Sequence, residues 1–166
     1  MFIKEIKPLK LKIMEKNNQK KVDELNTLVE INNDRIEGYK HAAKETDDAE
    51  LKSLFLGLAD SSGRCKAELA ARVRKIGGQA KEGTATSGKL YRAWMDVKSA
   101  VTKKDRKAIL NSCEFGEDIA VKAYEDALDK CNDVLSEYRD LIVDQHSVIL
   151  KGHNKIKELR NNLVKA

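Results

Sequence analysis

One carboxylate stands where a side chain of its kind is expensive. Glu117 falls on the apolar repeat Leu110, Cys113, Ala120, Tyr124, Ala127 and Cys131. That alternating spacing of three and four residues is the buried stripe of a packed helix. A carboxylate on such a stripe must be paired or ligated. Three further apolar repeats are interrupted in the same way, one by Asn32, one by Ser62 and Cys65, and one by Gln145. Two chemistries are open to this set. In the first, Asn32, Ser62 and Gln145 hydrogen-bond Glu117 in a buried polar layer that fixes helix register. In the second, Glu117 and Cys65, with Asp118, hold one metal ion, and a Cys65 thiolate would select zinc or another thiophilic ion. The second set is short of ligands, so the polar layer is the expectation.

The remaining reactive residue types read as structure. Glu30, Asp34, Glu37 and His41 share one side of a helix, where interleaved charges mark a solvated face. His146 and His153 are seven residues apart and flank a buried stripe, with no carboxylate placed in sequence to complete a site. Cys113 and Cys131 read as small core residues. Trp94 is expected to cover one edge of the core, with a subunit contact as the alternative.

Four long helices must position these groups. The first is expected from about Asn18 to Glu45, with Leu25, Val29, Asn32, Ile36, Tyr39 and Ala43 inward. Asp47 followed by Glu50 has the spacing of an N-cap and its reciprocal partner. A second helix carries Leu51, Phe55, Leu58, Ser62, Cys65, Leu69 and Ile76 and stops at Gly77-Gly78, since glycine accepts the left-handed conformation that ends helices. Residues 79–88 read as a polar, flexible loop. A short helix over Lys89–Val101 presents Leu90, Trp94, Val97 and Val101. Asp105 then caps a third long helix, and a break near Asp129–Asp133 precedes the fourth, with Leu135, Tyr138, Ile142, Gln145, Ile149, Gly152, Ile156, Leu159 and Leu163 inward. Short turns join the first helix to the second and the third to the fourth. The span from Gly77 to Lys104 is too long for a tight turn. It reads as a crossover to the other end of a bundle, the ferritin-like connection of a four-helix bundle.

Composition agrees with an all-α chain. The 166 residues are 41% hydrophobic and 36% charged, with one proline, nine glycines and few aromatics, enough for one domain with a real core. No run is long enough for a membrane span. Three cysteines without CxxC spacing argue against a disulfide framework and for a reducing cytoplasm. Residues 1–21 hold seven lysines and two glutamates, and residues 151–166 hold five cations and one glutamate. The ends are therefore basic and the body acidic. Residues 1–17 are expected to be a flexible basic leader, with Met14 as good a start as Met1, and 18–166 a single domain. Without aromatic interleaving or a nucleic-acid motif, the basic ends read as solubilising.

An internal repeat ties the helices to a known pattern. Six residues separate Asn32 from Tyr39, and six separate Glu117 from Tyr124; Ile36 then aligns with Val121, Gly38 with Ala123 and Ala42 with Ala127. This is similar to ferritin-like proteins, in which helices one and three each carry Glu, six residues, then Tyr, and helices two and four each carry Glu-x-x-His. In such bundles those side chains converge on a di-iron or di-manganese centre. Transferred by residue, the resemblance leaves Asn32, Glu117, the pair Ser62 and Cys65, and the pair Gln145 and Val148. One carboxylate of four remains and neither histidine, which implies a degenerate di-metal site.

Residues 23–128 more closely resemble a bacterial family of ferritin-like four-helix-bundle proteins of unknown function. Three stretches carry this: Leu25 to Tyr39, Ser87-Gly-Lys-Leu-Tyr-Arg-Ala-Trp94, and Asp105 to Asp118. The resemblance implies a bundle in a cytoplasmic bacterial setting with no assigned activity, and its setting suggests stress physiology. The expectation is a non-enzymatic structural or interaction protein with no cofactor, a homo-oligomer (a dimer) with an unknown protein partner, and no membrane or nucleic acid. The alternative is a metal-binding or redox protein using iron, manganese or zinc near Glu117.

Overall fold

The computed structural model describes residues 3–165; Met1 and Phe2 of the expected leader, and Ala166, lie outside the described residues. Five α-helices follow one another: α1 (Ile3–Glu45), α2 (Ala49–Lys75), α3 (Gly88–Thr102), α4 (Arg106–Asp129) and α5 (Arg139–Lys165). Two single 3-10 turns, Lys130–Asn132 and Ser136–Tyr138, make the break between α4 and α5. α1 packs along α2 and α4 along α5, while α3 lies across α1 and α4. This is the expected ferritin-like bundle, with a crossover carrying a short helix. The first helix differs from expectation. It begins at Ile3 rather than near Asn18, so the leader from residue 3 onward is a helical extension.

Local chemistry sets the helix ends. Asp48, not the expected Asp47, caps α2, its Oδ1 accepting from Leu51 N at 3.1 Å. The sequence offered two adjacent aspartates, and Asp47 instead pairs with Lys104 across the neighbouring turn. Arg106 bonds Asp48 and Glu50, so the α1–α2 and α3–α4 turns are tied together at one end of the bundle. Asp105 caps α4 through Ala108 N at 3.2 Å. At the other end Gly77, at φ +84°, stops α2. Gly77 N reaches Arg74 O and Gly78 N reaches Val73 O, both at 3.0 Å, the paired bonds that satisfy a helix's last carbonyls.

The core is two apolar clusters. One gathers Tyr39, Phe55, Trp94, Val97, Leu110 and Ile156; the other gathers Leu25, Leu28, Leu69, Tyr124, Ile142 and Ile149. Each helix of the bundle contributes to both, and the polar residues lie at the levels between them. The basic start of α1 and the basic end of α5 belong to opposite ends, so they form no single patch. Trp94 does cover an edge of the core. Its ring lies over Gly38 of α1, where a Cβ would come within 2.0 Å of Cε3, and beside Gly116 of α4, where a Cβ would lie 3.6 Å from Cζ2. It meets Tyr39 edge-on, centroids 4.9 Å apart. Four expected inward residues are only half-buried, Ile36, Ile76, Leu90 and Leu163; Arg35 and Val73 are buried in place of the first two.

The crossover loop is pinned rather than flexible. Asn26 bonds Gln79 O and Lys81 N, both at 2.9 Å. Asn33 Nδ2 donates to Lys81 O and Gly83 O at 3.0 Å. Ala85 N donates to both Asp34 oxygens at 3.2 Å. Asp34 was expected on a solvated face, but the loop covers it and leaves it 4% exposed. Burial raises its pKa from 3.8 to about 6, helped by Glu30 and opposed by the Ala85 N–H, Lys81 and Lys98.

Two predictions follow from this packing. Because Asp34 is raised above its unfolded value, its contribution to stability is fully present below about pH 4 and is lost as pH rises through about 6. Asp34→Asn keeps an oxygen for Ala85 N, so at pH 7 it should stabilise the fold by on the order of 1 kcal/mol, after allowing for solvent screening. Urea titrations from pH 4 to 7 should show the gap between the two proteins opening across that window; a constant gap would refute the assignment. Gly38→Ala should destabilise by about 1–3 kcal/mol, outweighing alanine's better helix propensity, because the Trp94 ring must move. Thermal unfolding measures it, and an unchanged or raised Tm would count against the Trp94 clamp.

Candidate functional site

Glu117 is completely buried on α4, and its partner is a residue the sequence reading passed over. Arg35 of α1 is equally buried. Its Nε and Nη2 donate to Glu117 Oε1 at 3.2 and 2.8 Å, and Nη2 also reaches Oε2 at 3.1 Å. The Tyr39 hydroxyl donates to the same Oε1, and Arg35 Nη1 donates to Ser62 Oγ on α2. The guanidinium also lies 5.6 Å from the centre of the Tyr39 ring. On α5 the site needs Gly152. A Cβ there would come within 2.8 Å of Leu58 Cδ2 and 3.0 Å of Arg35 Nη2.

The expected polar layer therefore has different bonds. Asn32 and Gln145 do not solvate Glu117. They form a second network around Tyr124, whose hydroxyl accepts from Asn32 Nδ2 and donates to Gln145 Oε1, each at 2.8 Å. Asn32 Nδ2 also donates to Leu28 O at 2.9 Å, and Gln145 Nε2 to the Cys65 carbonyl at 3.1 Å. The internal repeat explains the arrangement. Tyr39 of α1 reaches Glu117 of α4, and Tyr124 of α4 reaches Asn32 of α1, so each tyrosine bonds the polar residue of the other helix. Antiparallel helices bring position 32 beside 124 and 39 beside 117.

Electrostatics follow from burial. It opposes the charge on Arg35, yet the adjacent Glu117 more than offsets this and holds the guanidinium above its usual pKa. Burial raises the Tyr39 hydroxyl well above its ordinary range, and Glu117 adds to the shift. Tyr124 is also raised, chiefly by burial. Both phenols therefore stay protonated and serve as hydrogen-bond donors. Burial pushes the Cys65 thiol up from 9.0 to about 11, partly countered by Arg35.

A dinuclear metal centre does not fit these residues. Both Glu117 oxygens already accept from a permanently charged guanidinium, and a divalent ion brought there would face that cation. Glu117 is the single carboxylate in the two networks. Cys65 is held as a thiol, and no hydrogen bond links it to Glu117. Asp118 points outward, its side chain 58% exposed, and pairs with His153 Nε2 at 2.6 Å. That contact gives His153 a carboxylate partner on α4 without completing a metal site. Among the described residues, no group of three or more His, Cys, Asp or Glu could hold a metal ion. Cys113 and Cys131 are buried and free, Cys131 Sγ bonding Ala127 O at 3.3 Å. Val148, at the second position of the transferred α5 motif, is exposed.

A sequence signal for Arg35 did exist. Leu28, Asn32, Arg35, Tyr39 and Ala42 keep alternating spacings of four and three as faithfully as the stripe through Ile36. A basic residue on the stripe that must face a buried carboxylate is the natural partner for it.

Two antiparallel helix pairs joined by a long crossover, with a polar layer at mid-height, define a ferritin-like bundle of the all-α class. Residues 20–130 match the model of a family described as a domain of unknown function, DUF2383. The chain belongs to this family. Its fold is also similar to that of a mutant of Dps1 from Mycobacterium smegmatis, with a TM-score of 0.69 and 14% identity over 87% of this chain and 97% of that one. A search of curated proteins finds no match. No described helix is long and apolar enough to cross a membrane.

The ion pair makes a sharp prediction. Arg35→Met or Glu117→Met alone should cost about 3–5 kcal/mol, because each leaves one buried charge unpaired. The double variant should recover much of that loss, with a coupling well above 1 kcal/mol. Urea unfolding of the four proteins measures this. Small, additive single effects would mean that the two side chains are not paired in the core.

Proposed function

We propose that this chain is a cytoplasmic bacterial protein that works as a self-associating structural or interaction module rather than as an enzyme. In it the di-metal site of the ferritin-like pattern has given way to a built-in ion pair. The observation that carries this reading is Arg35, fully buried and bonded to both oxygens of Glu117. A guanidinium fixed at the carboxylate supplies from the chain the positive charge that metals would otherwise bring. The tyrosines are donors in the same networks, and the cysteines are buried, so no side chain of this interior is poised as a nucleophile or proton carrier. A bundle of this kind acts through its shape and outer faces, on another protein or on further copies of itself.

Metal analysis tests this directly. Protein produced in cells supplemented with iron, manganese and zinc should carry well under one equivalent of each by mass spectrometry, and Glu117→Ala should not change that content. One or more equivalents in the native protein, lost in Glu117→Ala, would overturn the reading and restore a metal site at this carboxylate.

A further inference from the structure

We propose that the outer faces of α3 and α4 dock a second copy of this chain, with the two α4 helices antiparallel about a two-fold axis beside Ile119. This rests on the self-association proposed above and adds the face on which it occurs. Three large apolar residues are exposed on these two helices, Phe115 at 48%, Met95 at 42% and Tyr91 at 38%, and the Arg92 side chain is exposed on α3 as well. Phenylalanine, methionine, tyrosine and arginine are the types that interface centres favour. Phe115, Ile119 and Ala123 form one stripe along α4, at spacings of four, and line a largely apolar groove with Lys89 and Arg92 of α3.

The same stripe is self-complementary, which argues for a second copy over an unrelated partner. An antiparallel pair centred beside Ile119 sets Ile119 against itself and Phe115 against the small Ala123 of the other copy, in both directions. Asp118, which pairs with His153 within the chain, then lies about 3 Å along the axis from Lys122 of the other copy, which pairs with its own Asp126, so these exposed pairs gain an opposite charge across the contact twice over. The groove as a whole carries three cations and two carboxylates, Asp118 and Asp126, leaving little net repulsion between copies. Size is adequate too. α4 runs about 36 Å and α3 about 22 Å, and two helices side by side offer the roughly 800 Å² per partner that a stable dimer needs. An isologous contact of this kind closes on itself as a dimer.

Analytical ultracentrifugation of the full chain tests the proposal. The native protein should sediment as a dimer, and Phe115→Glu should weaken association by about thirtyfold or more while keeping native helical circular dichroism, since the side chain is half in water. Ala123→Arg, which fills the receiving position, should act alike and guards against an effect peculiar to Phe115. Leu56→Glu, equally exposed on α2, should leave the dimer intact. Asp118→Lys should weaken the dimer, and Asp118→Lys with Lys122→Asp should restore it. A native dimer indifferent to both Phe115→Glu and Ala123→Arg would overturn the docking face and leave self-association standing. A native protein that stays monomeric at hundreds of micromolar would overturn both.

Discussion

The structure depends on one buried ion pair. Taking a guanidinium and a carboxylate out of water costs several kcal/mol for each ion, and their attraction offsets that only when geometry and further hydrogen bonds are favourable. Here they are. Arg35 makes three bonds to Glu117 and one to Ser62, and Tyr39 supplies another to the carboxylate. The partners come from α1, α2 and α4, and α5 contributes by having no side chain at Gly152. Each helix thus has one axial setting in which the pair is satisfied. Sliding α1 by one residue along α4 would leave both charges unpaired in a medium that tolerates neither. Apolar packing alone is permissive about such shifts; this pair is not.

The second network repeats the constraint one level away and in neutral form. Asn32, Tyr124 and Gln145 use the same helical offsets as Glu117 and Tyr39, but with amides in place of charge. The cross-bonding of the two tyrosines follows from the internal repeat and the antiparallel course of α1 and α4. Together the networks separate the core into two apolar halves, each with its own large residues. The half around Tyr39 depends on the crossover as well, because α3 delivers Trp94 onto Gly38. That helix can be placed only by a connection long enough to span the bundle, and the asparagines and Asp34 of α1 fasten that connection down. The polar run from Asn32 to Arg35 consequently has two duties, with Asn33 and Asp34 gripping the loop outside and Asn32 and Arg35 bonding inside.

Much of this was legible from spacing. The four long stripes, the glycine stop at Gly77, the cap at Asp105 and the crossover helix all follow from local rules, and Glu117 announced itself as the residue in need of a partner. The partner was hidden because α1 has two overlapping stripes at this level. Choosing the one through Ile36 favours the more apolar residue, and residue type usually decides such a tie correctly. Here a charge on the opposite helix decides it, and that information lies 82 residues away in the sequence. Asp34 was misplaced for a related reason. An exposed helix face and a face covered by a polar loop look the same when only the helix is read, since a loop that bonds through its backbone leaves little trace in its side chains. The helical extension before Asn18 likewise has no buried stripe to mark it.

The interior is closed as well as bonded. The Arg35 charge is fixed at any ordinary pH, the phenols are held protonated, and Trp94 and Tyr39 fill the space beside the pair. These groups are bonded to one another behind complete burial. The outer surface differs, because α3 and α4 expose aromatic and thioether side chains next to balanced charges. A chain whose interior is committed to holding register keeps its outer faces in fixed relative positions. Register and surface are linked through α4, since the Arg35–Glu117 pair holds that helix against α1, and Trp94 of α3 is seated against Gly38 and Gly116 of the same two helices.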